Sequence, residues 1–398
     1  MAARKVRNIA VAGHRVRNVA VLGSTGSIGT STLDVVKSVK GLGVKVYGLA
    51  CGNNIEALSR QVEVFKPKRV VISDEKAADV FRKQARRKVS IAAGEKALVE
   101  LASDPAVDVV VMAVVGAAAL RPTLAALKAG KTVALANKEC MVMAGHLVTA
   151  AARKHGGRII PVDSEHSAAF QIMMCGRKSE IKRLIITGSG GALRDVPTEE
   201  FAAVTPEKAL EHPTWDMGPK VTIDSATSMN KALELIEAHH LFGLPRKSLA
   251  VWVHPQSIIH AVVEYCDGVT VLHASLPDMR VPIQYALGLD GPGRLAGLVN
   301  QVPVEQLSNI SLSEPDPKRM PALELGLRVT EEEGTLGAVL NAANEVAVNA
   351  FLEKRIPFLR IVELVREVMG IHKNRANPTL EQVFEADAWA RKQALART

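Results

Sequence analysis

In Val19-Ala20-Val21-Leu22-Gly23-Ser24-Thr25-Gly26-Ser27-Ile28-Gly29, four apolar residues run into three glycines spaced three apart. The apolar run reads as a buried strand, the glycines allow close backbone approach, and Thr30 to Ser38 reads as the helix that follows. A helix starting there offers free N–H groups and a positive dipole end to a phosphate. The spacing G-x-x-G-x-x-G differs from the usual G-x-G-x-x-G. The strand before it and the helix after it are nonetheless the context that a dinucleotide loop requires, and they favour that reading over a plain turn.

Outward from this loop, apolar runs alternate with amphipathic segments: Val44–Leu49, Arg69–Ile72, Val107–Ala113, Thr132–Ala136 and Arg158–Val162. Such alternation predicts a doubly wound parallel sheet with right-handed crossovers, here assigned to residues 16–162. The second strand ends in Cys51-Gly52-Asn53-Asn54, without the acidic residue that would hold a ribose 2′-hydroxyl and repel a 2′-phosphate. NADP is therefore favoured over NAD, with Arg60 or a more distant base left to neutralise the phosphate.

The chain has 398 residues, 47% hydrophobic and 23% charged, which suits two or three globular domains with ample core. Val109 to Leu120, the longest uncharged apolar run, is too short to span a bilayer and contains Gly116, so no membrane partner is expected. Cys51, Cys140, Cys175 and Cys266 form no C-x-x-C pair, which argues against zinc and a disulfide framework and fits a reducing cytoplasm. The net charge of +9 includes Arg4, Lys5, Arg7, Arg15 and Arg17, and falls to +4 without them. With 4% aromatics there is no stacking platform for nucleic acid, and a small anion fits better. Val6–Gly13 nearly repeats Val16–Gly23, but only the second copy continues into the phosphate loop, so residues 1–15 read as a non-essential arm.

In Pro161-Val162-Asp163-Ser164-Glu165-His166, two carboxylates stand two apart. On extended backbone they share a face and can converge on a hard cation; alternatively, Asp163 caps a helix starting near Glu165. Lys138, in Ala136-Asn137-Lys138-Glu139-Cys140, sits at the carboxyl edge of the sheet, where it either reaches the nicotinamide side and a substrate hydroxyl or pairs with Glu139 at the surface. Ile185 to Gly191 reads as a strand and a glycine turn suited to an anion, or as an ordinary loop.

A helix predicted over Asp224–Leu241, with Ser225 near its N-terminus, places Asn230, Lys231 and Glu234 on one face. Glu234 can then complete a three-carboxylate site with Asp163 and Glu165, whose oxygens select Mg²⁺ or Mn²⁺ over zinc; alternatively, Lys231 and Glu234 are a solvated pair. Residues 211–220 read as a lid carrying Trp215, or else as a loop around a core tryptophan. Ser257 and His260 follow the strand Leu249–Val253 and can approach the same pocket. This central part spans residues 163–290. The Gly-rich run after Leu287 reads as a linker over 291–312. Helices near Ala322–Val329, Leu336–Arg355, Phe358–Met369 and Leu380–Ala396 make a C-terminal domain over 313–398.

Taken together, these motifs closely resemble the 1-deoxy-D-xylulose 5-phosphate reductoisomerase family over nearly the full length. The resemblance rests on G-S-T-G-S-I-G at 23–29, A-N-K-E at 136–139, P-V-D-S-E-H at 161–166, T-G-S-G-G at 187–191, H-P-x-W-x-M-G at 212–218, D-S-A-T-x-M-N-K at 224–231, H-P-Q-S at 254–257, P-D-M-R at 277–280 and L-N-A-A-N-E at 340–345. It implies an α/β fold with an N-terminal Rossmann-like doubly wound parallel sheet, a central α/β catalytic domain and a C-terminal α-helical domain. It also implies a homodimer that uses NADPH and Mg²⁺ or Mn²⁺ to rearrange and reduce 1-deoxy-D-xylulose 5-phosphate, a sugar phosphate, to 2-C-methyl-D-erythritol 4-phosphate in the non-mevalonate isoprenoid route.

By the same resemblance, Asp163, Glu165 and Glu234 are the metal ligands, and Ser189, Ser225, Asn230 and Lys231 hold the substrate phosphate. His212, Trp215 and Met217 form the lid, while Lys138 contacts the substrate diol and Ser164, His166 and His260 line the pocket. Catalytic roles fall to Lys138, Glu165, His166 and His212, with Glu165 both ligand and possible proton acceptor. Cofactor contacts are expected from Gly23, Ser24, Thr25, Gly26, Ser27, Ile28, Gly52, Asn53, Asn54, Asn137, Glu139 and Gly218. The chain departs from the family at Cys140, which puts a hydroxyl hydrogen bond near the cofactor in doubt, and at Ala192-Leu193, which alters packing behind Ser189.

Overall fold

A computed structural model describes residues 16–84, 89–215 and 217–398. The expected arm at 1–15 lies outside the described residues. Seven parallel strands form the first sheet: β1 (Arg17–Leu22), β2 (Val44–Cys51), β3 (Arg69–Ile72), β4 (Ser90–Ala93), β5 (Val109–Met112), β6 (Thr132–Leu135) and β7 (Arg158–Pro161). Their order is β4-β3-β2-β1-β5-β6-β7, so the winding reverses between β1 and β5, where ligands bind in such sheets. The short, alanine-rich strand β4 was not anticipated.

Side chains alternate across this sheet. Ala20, Leu22, Val110, Met112, Val133 and Leu135 enter one buried cluster, whereas Val19, Val21, Val109, Val111, Ala134 and Ile160 enter another. Burial on both faces explains why these strands are continuous apolar runs rather than half-polar ones.

One cluster extends through the helix Glu139–His155 into the C-terminal helices Ala322–Glu332, Leu336–Leu352, Arg360–Ile371 and Leu380–Leu395. These helices match the expected four, but they share the core beneath the sheet. The other cluster is closed by the helix Arg280–Gly288 and by Leu295 and Leu298 from the expected linker. Gln284 donates to the Leu295 carbonyl at 2.8 Å, so this part of 291–312 is packed on the core.

The second sheet has the order β11-β10-β8-β9, with β8 (Ile181–Gly188), β9 (Leu249–Val253), β10 (Ile259–Tyr265) and β11 (Thr270–Ala274). Strand β10 is antiparallel to both of its neighbours, while β8 and β9 run parallel.

The helix expected over Asp224–Leu241 is two helices, Pro219–Ala226 and Met229–Phe242. Ser228, at φ +62°, turns the chain left-handed between them. Thr227 Oγ1 donates to the carbonyls of Ile223 and Asp224, closing the first helix. Ser225 thus stands in the last turn of one helix and Asn230 and Lys231 in the first turn of the next, rather than all on one helix. Among the described residues, no helix is long and apolar enough to cross a membrane.

Candidate active site

The loop after β1 is shaped by what its glycines exclude. Gly23 has φ +89°, and a Cβ there would lie 2.3 Å from the Ala113 carbonyl oxygen; a Cβ on Gly29 would lie 2.2 Å from the Gly23 oxygen. At Gly26 the nearest atom is 3.6 Å away, so the fold itself does not demand a glycine there. Gly26 precedes the helix Ser27–Ser38 without a capping side chain, leaving the first-turn N–H groups free for an anion. Ser27 and Ile28 face the central cleft.

Other expected cofactor residues serve the scaffold. Ser24 is buried and exchanges hydrogen bonds with Gln61, and the Asn54 side chain caps the helix Ile55–Phe65 through the Ala57 N–H at 3.1 Å. Arg60 pairs with Glu56 at 2.6 Å on the surface. Asn137 donates to the carbonyls of Val114 and Gly116 and accepts from the Cys140 N–H. Glu139 is buried and turned toward Lys220. Gly52 and Asn53 are exposed beyond β2. Cys140 is packed in the core with Sγ 3.7 Å from Thr123 Oγ1, so its departure from the family bears on packing rather than on a hydrogen bond in the cleft.

The cleft itself gathers Lys138, Asp163, Ser164, Glu165, Ser189, His212, Trp215, Met217, Gly218, Ser225, Asn230, Lys231, Glu234 and His260. The extended-backbone geometry expected for Asp163 and Glu165 is not what joins them. A helix begins at Ser164 with Asp163 in the capping position, yet the Asp163 carboxylate caps nothing and turns instead to Lys138 at 2.6 Å. Glu234, 1% exposed, comes from the helix Met229–Phe242, and one carboxylate oxygen each of Asp163, Glu165 and Glu234 lie within 4.8 Å of one another. That spacing and all-oxygen chemistry fit one hard divalent cation.

Two ammonium groups are threaded through the carboxylates. Lys138 Nζ reaches Glu234 at 2.8 Å and Asn230 Oδ1 at 2.9 Å, so the alternative surface pair with Glu139 is not formed. Lys231 donates to Glu234 at 2.5 Å and to Glu165. Burial pushes the Asp163 carboxyl up, but Lys138, His166 and Lys231 together outweigh it and hold Asp163 well below the usual range. For Glu165, burial and the adjacent Glu234 charge prevail and raise it to about 7. When all three are ionised, the carboxylates exceed the two ammoniums by one negative charge, which an added cation would meet.

His166 is fully buried, with Nε2 2.9 Å from the Glu234 carbonyl and Nδ1 3.5 Å from Glu237 and 3.6 Å from Asp163. Burial alone would lower its pKa, but the Glu237 and Asp163 carboxylates raise it to about 9. It thus sits behind the carboxylates instead of in the cleft. Glu237, 1% exposed, was missed because a glutamate three residues after Glu234 reads as ordinary helical surface charge.

Around the anion turn, a Cβ on Gly191 (φ +74°) would lie 2.6 Å from the Ser225 carbonyl, a close approach that brings Ser189 beside Ser225. Ser189 Oγ lies 3.1 Å from His212 Nε2. His212 Nδ1 accepts from the Thr214 and Trp215 N–H groups at 3.1 and 2.9 Å, so Nε2 carries the proton and donates to Ser189. Burial, aided by Arg194 and Lys231, lowers the His212 pKa to about 4. Trp215 is half-buried and meets His260 edge-on with centroids 6.4 Å apart, which places it over the cleft rather than in the core. His260 donates to the Ser275 carbonyl, and burial lowers its pKa to about 4.

A switch-point phosphate loop facing a carboxylate–lysine cluster and a hydroxyl-rich anion turn defines an oxidoreductase of the dinucleotide-binding α/β class. Family profiles described as 1-deoxy-D-xylulose 5-phosphate reductoisomerase, its C-terminal domain and the DXP reductoisomerase C-terminal domain match residues 19–145, 159–242 and 274–393. The chain belongs to the 1-deoxy-D-xylulose 5-phosphate reductoisomerase family. It is 46% identical to the enzyme of that name from Chlorobium chlorochromatii over 95% of this chain and 99% of the relative. A second, from Pelotomaculum thermopropionicum, is 46% identical over 93% and 96%. The solved structure of the Zymomonas mobilis enzyme in complex with NADPH is 43% identical, with TM-score 0.89 over 96% of this chain and 99% of that one. Another, of a reductoisomerase with NADPH, fosmidomycin and magnesium, is 36% identical, with TM-score 0.88 over 96% and 98%.

Proposed function

We propose that this chain converts 1-deoxy-D-xylulose 5-phosphate to 2-C-methyl-D-erythritol 4-phosphate, using NADPH and Mg²⁺ or Mn²⁺. The observation that carries the reading is the convergence of Asp163, Glu165 and Glu234 beside Lys138, between the glycine loop and the Ser189–Ser225–Lys231 cluster. When bound, the cation supplies Lewis-acid polarisation of the substrate's ketone and neighbouring hydroxyl, and the nicotinamide supplies hydride.

The remaining work falls to the chain's own groups. The Gly23–Ile28 loop and the helix start behind it seat the pyrophosphate. Asp163, Glu165 and Glu234 hold the cation, and Lys138 donates to a substrate oxygen. Glu165, besides holding the cation, is the carboxylate placed to take or return a proton. Ser189, Ser225, Asn230 and Lys231 bind the phosphate, a remote handle whose binding energy aligns the reacting carbons. Trp215 and Met217 then exclude water, while His212, neutral and bound to Ser189, latches the lid to the phosphate turn. A homodimer and a cytoplasmic setting belong to the same reading.

Product analysis tests it. The branched tetrol phosphate is expected from the straight-chain ketose phosphate. A straight-chain alcohol would indicate a simple dehydrogenase that reduces without rearrangement.

A further inference from the structure

Behind the cleft lies a buried polar network that the proposed reaction does not use. Lys220, the second residue of the helix Pro219–Ala226, places Nζ 2.7 Å from Asp224 and 3.7 Å from Glu139. Asp224, 1% exposed, also accepts from Asn344 Nδ2 at 2.8 Å. Asn344 belongs to L-N-A-A-N-E on the helix Leu336–Leu352, a motif otherwise without a task. The next residue, Glu345, accepts from Asn341 at 3.1 Å, is paired with Arg391 at 2.7 Å, and approaches Gly116 so closely that a Cβ there would lie 3.3 Å from Oε1. Gly116 is in turn held by Asn137.

Each end of Lys220's contacts adjoins a residue of the cleft. Its own helix starts where the lid ends, at Gly218, and Thr222 Oγ1 ties back to the Gly218 carbonyl at 3.0 Å. Asp224 precedes Ser225 in the phosphate cluster. Glu139 follows Lys138 among the carboxylates. One ammonium therefore joins the helix that runs from the lid's hinge at Gly218 to Ser225 with the Lys138 segment, which comes from a distant stretch of sequence. An exposed pair would matter little, but Lys220 is only partly exposed and its partners Asp224 and Glu139 are buried carboxylates, which lose much if their countercharge shifts.

From this geometry we infer that Lys220 is a positioning residue that registers lid closure over the phosphate with Lys138 and the carboxylates. The inference rests on the function proposed above. Phosphate binding then moves the hinge, the Ser225 helix and the Lys138 segment as one unit, so the energy of binding a remote group appears in the chemical step. Removing the link leaves each site intact but unregistered, which lowers kcat more than it raises KM.

The test compares wild type with Lys220→Met, Lys220→Arg and the charge-neutral pair Lys220→Met/Asp224→Asn, which removes the nearer buried carboxylate together with the ammonium should the single variant fold poorly. The neutral pair is expected to lose at least about tenfold in kcat, with KM for 1-deoxy-D-xylulose 5-phosphate within about threefold and the NADPH Kd within about twofold of wild type. Lys220→Arg should recover most of the loss. Undiminished kcat in the neutral pair overturns the positioning role, as does a parallel weakening of NADPH binding, which marks a general structural brace. Because wild-type turnover is measured in the same assay, failure of the parent reading shows itself separately as absence of turnover in the unmodified enzyme.

Discussion

Lys138 Nζ lies 2.6 Å from Asp163 Oδ2, deep in the cleft. The pair ties the end of β6 to the start of the helix after β7, and Glu234 joins it from a third element at 2.8 Å. Removing the ammonium leaves carboxylates facing one another with less countercharge and takes a donor from the substrate's oxygens. Lys138→Met is expected to lower kcat/KM by roughly 1,000-fold while NADPH binding is largely kept, as measured by steady-state kinetics and cofactor titration. Lys138→Arg should recover little, because a planar guanidinium cannot point three donors at Asp163, Glu234 and Asn230.

The glycine loop makes a graded prediction. Gly23→Ala combines a left-handed φ with a Cβ 2.3 Å from backbone, so it should cost about 2 kcal/mol or more of stability and abolish tight NADPH binding. Gly26→Ala meets its first neighbour at 3.6 Å and should fold normally, losing affinity only where the new methyl crowds the cofactor. Thermal melts and NADPH titration separate the two.

His212 should act without titrating. An unfolded histidine takes a proton near 6.5, whereas His212 resists until about 4, so between these values the folded state binds fewer protons. Its contribution to stability is full above about 6.5 and is lost as pH falls toward 4. The melting-temperature difference between wild type and His212→Asn should shrink over that window. The pH profile of kcat/KM should show no His212 ionisation between about 5 and 8. Asn keeps a donor and an acceptor and should retain more activity than Ala.

The fold was legible where backbone chemistry and apolar period agree: the doubly wound parallel sheet follows from runs such as Val19–Leu22 and Val109–Met112, and the loop from Gly23 and Gly29. The cleft was legible through motifs that carry Asp163, Ser189 and Lys231. What remained hidden depends on direction rather than identity. Ser24, Asn54 and Asn137 stand beside the cofactor cleft in sequence but spend their side chains on Gln61, a helix start and the Val114–Gly116 turn. Lys220 and Asp224 form their pair on the short helix before Ser228, and nothing in the sequence shows that Asn344 of the distant helix Leu336–Leu352 joins it. The break at Ser228 was masked because a non-glycine residue rarely turns left-handed.

His166 titrates in the opposite sense. Glu237 and Asp163 raise its pKa to about 9, so the folded state holds the extra proton. The stabilisation is fully present below about 6.5 and is lost as pH rises through about 9. Wild type should therefore outlast His166→Gln most clearly near neutral pH, with the gap narrowing in melts run toward pH 9.

NADPH oxidation that depends on 1-deoxy-D-xylulose 5-phosphate, followed with and without a chelator in wild type and in Glu234→Gln, bears most directly on the carboxylate site. Turnover that stops with chelation, resumes with Mg²⁺ or Mn²⁺ and is nearly absent in the variant is the predicted result. Metal-independent turnover, or full activity in Glu234→Gln, would contradict it.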